Sequence, residues 1–238
     1  WQNGQEVFAL QQGYANLELR SAVQAESVFR IGSLSKQFTA AMLLKLAEAK
    51  TVKLDLPVKH YLPFFGPKEN FSLRELLQHT AGIHDADVDP RQLKVSSQID
   101  LAKIIAKQKP FFDFAPGSAW LYSNSNYFLA GAVIEKVTGK SLQEVGDELL
   151  FKPLQLKKTR FDDPKRVIEQ RVAGYSMQES DGAFVNADYE DIVLNGAAGG
   201  MVSTASDLCR WHQALFNGAV LSRASPAQML AGGLLCNH

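Results

Sequence analysis

The chain has few cysteines and no excess of charge of either sign. Only two of its 238 residues are cysteine, and 25 Lys and Arg residues balance 25 Asp and Glu residues. Two cysteines cannot build the disulfide framework of a small secreted domain. A balanced charge without long runs of one sign argues against nucleic acid or an anionic membrane as a partner. These absences predict a small molecule or a peptide as the partner.

Long hydrophobic runs are also absent. No stretch reaches the ~20 apolar residues of a membrane-spanning helix, and no signal peptide is visible. At 46% hydrophobic residues the chain can still bury a substantial core. Its length suits one large domain or two interleaved smaller ones.

Convincing metal and phosphate motifs are missing as well. The stretch "HTAGIHDADVDP" holds His79, His84, Asp85, Asp87 and Asp89, but Gly82 breaks the helix between the two histidines, which do not share a helical face. The consecutive glycines of "GAAGGMVSTASDL" lack the spacing of a phosphate-binding loop. We therefore predict no metal and no cofactor, and we place His84 and the aspartates in a solvated loop. Cys209 is interpreted as a packing residue of a helix.

The two ends of the chain predict that sequence is missing beyond them. Asn3-Gly4 is a preferred hairpin turn, and a strand-like run follows it, but only two residues precede it. Convincing strands are scarce after Lys36, so the partner strands are predicted to lie beyond residue 238. The chain is therefore expected to be truncated at both ends.

Helix signals recur through the middle of the chain. Capping patterns are followed by apolar residues, and glycines stand where helices are expected to stop. These signals are the Ser72–Glu75 and Ser141–Glu144 capping boxes, the Gly82 and Gly139 stops, the Thr204–Asp207 cap, and Ser225 capping a helix with Pro226 at its first position. The signals from Ser72 to Leu150 predict that residues 51–194 form a mostly helical domain. Residues 1–50 and 195–238 are then expected to form parts of a sheet-bearing α/β domain.

The segment "GSLSK" places two hydroxyls and an amine where a buried helix begins. Residues three apart share a helical face, so Ser33 faces Lys36 while Ser35 points elsewhere. Burial and the helix macrodipole both disfavour a charged lysine there, and a neutral amine beside a serine is a general base beside a nucleophile. The alternative is a serine that only caps the helix and a lysine in solvent. Taken alone, S-x-x-K does not decide between the two readings.

A second polar group precedes another apolar helix. Tyr122-Ser123-Asn124 follows the turn residues Pro116 and Gly117, and it can present a phenol and an amide to one cleft. The alternative is that Tyr122 packs in the core while Ser123 or Asn124 caps the helix.

Together the two motifs carry a family resemblance. S-L-S-K followed by Y-S-N is similar to the serine beta-lactamase and penicillin-recognising family. Within it, the chain resembles the branch of class C beta-lactamases, D-alanyl-D-alanine carboxypeptidases and related esterases. The likeness covers nearly the whole chain, in the order "ESVFRIGSLSKQFTA", "LLQHTAGI", "PGSAWLYSNSNYFLAGAVIEKVTGKSL", "KPLQLKKTRF" and "GGMVSTASDL". The resemblance implies an α+β, beta-lactamase/transpeptidase-like fold, with an antiparallel sheet flanked by helices plus an all-helical region.

The resemblance also implies a role for each motif residue. Ser33 resembles the acylated serine, and Lys36 the base that takes its proton. Tyr122 resembles the group that relays the proton to the leaving atom, and Asn124 the amide that holds the substrate's acyl-side carbonyl. His79 resembles a position that supports the wall of the active site. Whether lysine or tyrosine is the base stays open, as does the oligomeric state, and the family implies export.

One family motif has no counterpart in the sequence. The family carries a His/Lys-x-Gly on a strand that borders the cleft, and nothing between Ser125 and His238 fits it. That strand also supplies an oxyanion donor, and such a donor is worth about 3 kcal/mol of barrier. Two function classes therefore stay open. One is a serine hydrolase acting through an acyl-enzyme on a beta-lactam, a D-Ala peptide or a small ester; the other is a non-catalytic homologue or an inactive fragment that retains the fold.

Overall fold

Helices make up most of the regular structure. The computed structural model describes residues 1–2, 5–86, 95–163, 165–187, 192–222 and 229. Within these residues the helices are α1 Ser35–Glu48, α2 Leu73–Leu77, α3 Gln98–Ile105, α4 Asn124–Thr138, α5 Leu142–Gly146, α6 Ile192–Gly199 and α7 Ala205–Phe216. Short 3-10 turns cover Gly32–Leu34 and Val58–His60, and α5 runs on into a π-helical turn at Asp147–Phe151.

The described strands are short and pair antiparallel in three small sheets. They are β1 Tyr14–Asn16, β2 Ser21–Ala22, β3 Phe29–Arg30, β4 Arg160–Phe161, β5 Tyr175–Met177, β6 Phe184–Asn186 and β7 Met201–Ser203. Strand β1 pairs with β2, and β5 pairs with β6. In the remaining sheet β7 lies between β3 and β4, with Arg30 and Arg160 both opposite Val202. The predicted combination of helices and antiparallel sheet is confirmed.

Two apolar helices, α1 and α4, form the centre of the core. In α1 the residues from Phe38 to Leu44 are all buried, as expected for a helix that is apolar on every side. Helix α4 packs against α1, α2, α3 and α6. Gly131 permits the close approach to α6, because a Cβ at this position would lie 2.6 Å from the Cβ of Ala197. The next residue of α6, Ala198, thereby reaches the N-terminal end of α1.

The predicted helix caps are confirmed where the structure describes them. Ser72 and Glu75 form a reciprocal capping box on α2, and Ser141 and Glu144 form another on α5. The Thr204 side chain accepts from the Asp207 amide, and Gly139 ends α4 in the left-handed conformation at φ 67°. The predicted stop at Gly82 is wrong. Helix α2 already ends at Leu77, since the chain leaves the helical conformation at His79, where φ is +58°.

The strand predictions were less accurate than the helix predictions. Gln5 makes an isolated bridge with Gln2, but residues 6–12 form no regular strand, and Val7, Phe8 and Leu10 are exposed. Conversely, β4 to β7 all follow Lys36, where strands were expected to be scarce. Strands β4, β5 and β6 all lie in the range predicted to be mostly helical, and β4 joins the sheet of β3 and β7. The division into two domains stays a prediction. The Asn3-Gly4 turn and the Ser225–Pro226 helix start lie outside the described residues.

Candidate active site

Ser33 stands at the junction between the sheet and the central helix. The Ile31 amide donates to the Met201 carbonyl at 3.0 Å, which is the last sheet bond before the chain turns. Gly32 follows at φ +51°, in the left-handed region that glycine adopts at low cost. One 3-10 turn then leads into α1. This path leaves Ser33 exposed at the start of a buried helix.

The neighbouring hydroxyl of Ser35 is buried and has a structural role. Its Oγ donates to the Gly32 carbonyl at 2.7 Å and accepts from the Met201 amide at 3.2 Å. Ser35 therefore ties the turn to β7 and points away from Ser33, as the helical spacing predicts.

Lys36 lies beneath Ser33, with only 7% of its surface exposed. Its Nζ donates to Ser33 Oγ at 3.2 Å, to Asn124 Oδ1 at 2.8 Å and to the Ala198 carbonyl at 2.7 Å. These three acceptors match the three protons of an ammonium. Burial lowers the pKa of Lys36, while the hydrogen bond and charge of Tyr122, and the charge of Asp85, act in the opposite direction. The lowered pKa increases the fraction of Lys36 that is neutral near pH 7, and a neutral amine can accept a proton.

Tyr122 completes a triangle with the other two groups. Its hydroxyl lies 2.7 Å from Ser33 Oγ and 3.4 Å from Asn124 Oδ1, and the Lys36 Nζ lies 4.7 Å from the centre of its ring. The ring stacks on that of His79 at 4.6 Å between centroids. The predicted residues Ser33, Lys36, Tyr122 and Asn124 are thus brought together within hydrogen-bond reach.

His79 supports Tyr122 from behind as a neutral ring. Its Nδ1 accepts from the Ser123 amide at 3.3 Å, which leaves the ring proton on Nε2. The Asn126 side-chain amide lies 3.2 Å from the same nitrogen. Burial, and next the charge of Lys36, lower the pKa of His79 from 6.5 to about 4. The ring therefore adds no positive charge beside Lys36 near pH 7.

His79 should make stability depend on pH. Because its folded pKa, about 4, lies below the unfolded value of 6.5, the unfolded chain binds more protons between these values. The contribution of His79 is complete above about pH 6.5 and is lost as the pH falls towards 4. We expect the unfolding free energy, measured by urea denaturation, to decrease over this window. His79→Asn keeps an acceptor for the Ser123 amide and tolerates positive φ, and should flatten the decrease. His60→Asn, at an exposed position, is the control and should keep the wild-type decrease. If the unfolding free energy of His79→Asn falls with pH as steeply as that of the wild type, His79 is not its cause.

Sequence reasoning missed the role of Asp85. The expected solvated loop does leave this residue exposed, but its carboxylate accepts four hydrogen bonds from the start of α4. Ser123 occupies the N-cap position without a capping bond from its own side chain. Asp85 takes over the capping from a distant segment, so no local motif marks it. Asp87 and Asp89 lie outside the described residues.

Ser33 opens onto a cavity of about 240 Å³. The cavity is lined by β3 and the turn that follows it, by the first residue of α4, and by α6. The lining residues are Arg30, Gly32, Ser33, Asn124, Asn195, Ala198 and Gly199. Among the described residues, no group of three or more His, Cys, Asp or Glu side chains could hold a metal ion. Within the same part of the chain, no helix has both the length and the apolar character needed to cross a membrane.

The amino-acid sequence is similar to one family model and to several known proteins. The family model described as Beta-lactamase matches residues 1–234. A penicillin-binding protein of Bacillus subtilis (strain 168) is 30% identical over 230 residues, which cover 90% of this chain and 50% of that protein. The mitochondrial serine beta-lactamase-like protein LACTB of Homo sapiens is 26% identical over 287 residues, covering 91% of this chain and 52% of that protein.

A solved structure shares the fold. The D-amino acid amidase of Ochrobactrum anthropi SV3, complexed with D-phenylalanine, superposes with a TM-score of 0.82 at 27% identity. The match covers 94% of this chain and 66% of the amidase. The chain therefore has the fold of these proteins, and it spans about half the length of the curated relatives it matches.

Proposed function

The chain belongs to the beta-lactamase family, and from this we propose that it is a serine hydrolase that works through an acyl-enzyme on Ser33. The observation that carries the proposal is the position of Ser33 Oγ, which lies within hydrogen-bond reach of both the Lys36 amine and the Tyr122 hydroxyl. A nucleophile needs a base at this distance, and both candidate bases are present.

In the proposed acylation step, Ser33 Oγ attacks the carbonyl carbon of the substrate and gives up its proton to the Lys36–Tyr122 pair. The carbonyl oxygen becomes an oxyanion, for which the Ser33 backbone amide is a candidate donor. When the oxyanion collapses, the bond from carbon to the leaving nitrogen or oxygen breaks. The leaving atom takes the proton back through Tyr122, whose hydroxyl stands on the exposed side of the pair. Lysine and tyrosine act as one coupled acid–base unit.

In the proposed deacylation step, water attacks the ester formed on Ser33. The Lys36–Tyr122 pair accepts one proton of the water and returns a proton to Ser33 Oγ as the ester bond breaks. The products are the free acid and the original enzyme. Asn124, with its Oδ1 on Lys36, is proposed to hold the acyl side of the substrate at the same time as it orients the amine.

Three substrate classes fit this chemistry: a beta-lactam, a D-Ala peptide and a small ester. The names of the penicillin-binding protein and of the D-amino acid amidase support the first two. We therefore propose an amide or lactam next to a D-configured centre as the preferred substrate, with simple esters as reactive substitutes. The family resemblance also supports export, although one relative is named as mitochondrial, and the location stays a prediction.

Intact-protein mass spectrometry tests the proposal. The protein is incubated with a fluorescent penicillin and, separately, with a fluorophosphonate, and the modified peptide is then sequenced. We expect a stoichiometric adduct on the peptide that carries Ser33 with at least one of the two probes. The absence of an adduct with both probes on folded protein would favour the alternative, a non-catalytic homologue.

A further inference from the structure

We propose that Asp85 is a positioning residue of the active site, whose carboxylate orients the Asn124 amide so that the amide oxygen holds the Lys36 amine beside Ser33. The proposal rests on the proposed function of Ser33 and Lys36. It adds a residue that lies in neither of the two motifs and that touches no reacting atom.

The contacts of Asp85 converge on the first residues of α4. Its Oδ1 accepts from the backbone amide of Asn124 at 2.6 Å, from that of Ser125 at 3.1 Å and from the Ser123 hydroxyl at 3.2 Å. Oδ2 accepts from Asn124 Nδ2 at 3.2 Å. A carboxylate on the free amides at the start of a helix is favourable because of the helix macrodipole. One side chain thus fixes both the backbone and the side chain of Asn124.

The side-chain contact decides which way the Asn124 amide points. A primary amide has one acceptor and one donor end. Because Asp85 has only acceptors, it binds the donor end, and the oxygen is left facing Lys36 Nζ at 2.8 Å. The reversed amide would place N–H groups against the lysine and an oxygen against the carboxylate. Asp85 therefore selects the orientation in which Asn124 supports the amine.

The segment that carries Asp85 is itself fixed to α4. The Ala86 amide donates to Ser125 Oγ at 2.8 Å, while the Ser125 amide donates to Asp85. This reciprocal arrangement resembles a capping box, but it joins segments that are 39 or 40 residues apart in sequence. These two bonds hold the exposed Asp85 carboxylate in one position relative to α4. A capping residue directly next to the helix would not need this second attachment.

Asp85→Asn is the most selective test. The new amide keeps an oxygen for the backbone amides of α4, but its Nδ2 faces the Nδ2 of Asn124 and should reverse that side chain. We expect the rate of Ser33 labelling to fall about tenfold or more. Loss of the carboxylate charge should also lower the pKa of Lys36. This pKa is measured by NMR from the pH dependence of the Lys36 Cε resonance. Among the residues that the structure describes, the other ionisable groups that face Lys36 are Tyr122, Tyr127 and His79.

Asp113→Asn is the matched control, because Asp113 is a neighbouring aspartate that pairs with His84 rather than with α4. It should change neither the labelling rate nor the Lys36 pKa.

The outcomes separate this proposal from the proposed function. Asp85→Asn with a wild-type labelling rate and Lys36 pKa would overturn the positioning role. Slower labelling with the Asn124 side chain still in its wild-type orientation, as followed through its amide resonances, would also overturn it, since the carboxylate would then serve only as a cap. If the wild type itself is not labelled, the proposed hydrolase function fails. The Lys36 pKa and the Asn124 side-chain amide resonances would still decide the role of Asp85.

Discussion

Replacement of Ser33 by alanine is expected to abolish covalent labelling by each probe that modifies the wild type, and to reduce hydrolysis by about 10³-fold or more. Loss of a catalytic serine commonly costs this much or more, because the remaining groups cannot form the acyl-enzyme. Ser33 is exposed, but its Oγ accepts a hydrogen bond from the buried Lys36 amine, so the substitution should change the unfolding free energy by no more than about 1.5 kcal/mol. Mass spectrometry measures labelling, the turnover of a beta-lactam or a small ester measures hydrolysis, and urea denaturation measures stability, all on the same preparation.

Ser35→Ala is the matched control for this prediction. Its hydroxyl bonds the Gly32 carbonyl and the Met201 amide in a fully buried position. Removing it should cost about 1–3 kcal/mol of stability, since two buried groups lose a partner. Labelling of Ser33 should continue well below the melting temperature. Labelling that survives in Ser33→Ala and disappears from folded Ser35→Ala would reverse the assignment of the nucleophile.

Sequence reasoning was most accurate for features that depend on a few adjacent residues. The capping boxes at Ser72 and Ser141 were predictable because a hydroxyl and a carboxylate three residues apart satisfy each other's backbone amides. The opposed directions of Ser33 and Ser35 followed in the same way from the helical repeat. Each of these features is contained within one turn of chain.

Contacts between distant segments were predicted only where the family resemblance supplied them. Ser33 and Tyr122 are 89 residues apart, and spacing alone gave no reason to join them. Asp85 was predicted to lie in a solvated loop, and its hydrogen bonds to α4 were not predictable because these partners are about 40 residues away. The Ala198 carbonyl on Lys36 was not predictable either, since a backbone acceptor has no signature in the side-chain sequence.

The strands show the same limit. Strand β7 has three residues, all buried, and lies between two partners, so it has no alternation of polar and apolar residues that would reveal it. Strand β4 has two residues and follows a long helical region. By contrast, residues 6–12, with an apolar centre at residues 7–10, have the sequence pattern of a strand but no paired neighbour among the described residues. A strand is defined by its partner, and pairing is not a local property of the sequence.

Replacement of Lys36 by arginine or methionine is expected to reduce labelling and hydrolysis by about 10³-fold or more. A guanidinium stays protonated in proteins and cannot act as a base, and a thioether has no proton to exchange. In the wild type, burial lowers the pKa of Lys36, which increases the fraction of neutral amine at a given pH. The rate of Ser33 labelling should therefore rise with pH through that lowered pKa. This rise should be absent from the residual activity of Lys36→Met.

Lys45→Arg is the control, because Lys45 lies on the same helix and donates to the Val220 carbonyl at 2.8 Å, a bond that arginine can replace. It should leave labelling and its pH profile unchanged.

Both Lys36 variants are expected to be less stable than the wild type. The Asn124 and Ala198 oxygens lose the lysine ammonium as their hydrogen-bond donor in a buried position. Labelling is therefore compared at a temperature where circular dichroism shows each variant folded. A folded Lys36→Arg or Lys36→Met protein that retains wild-type labelling, with the same rise with pH, would show that the proton of Ser33 goes elsewhere. Tyr122 would then be the base, as the 2.7 Å contact between its hydroxyl and Ser33 Oγ permits.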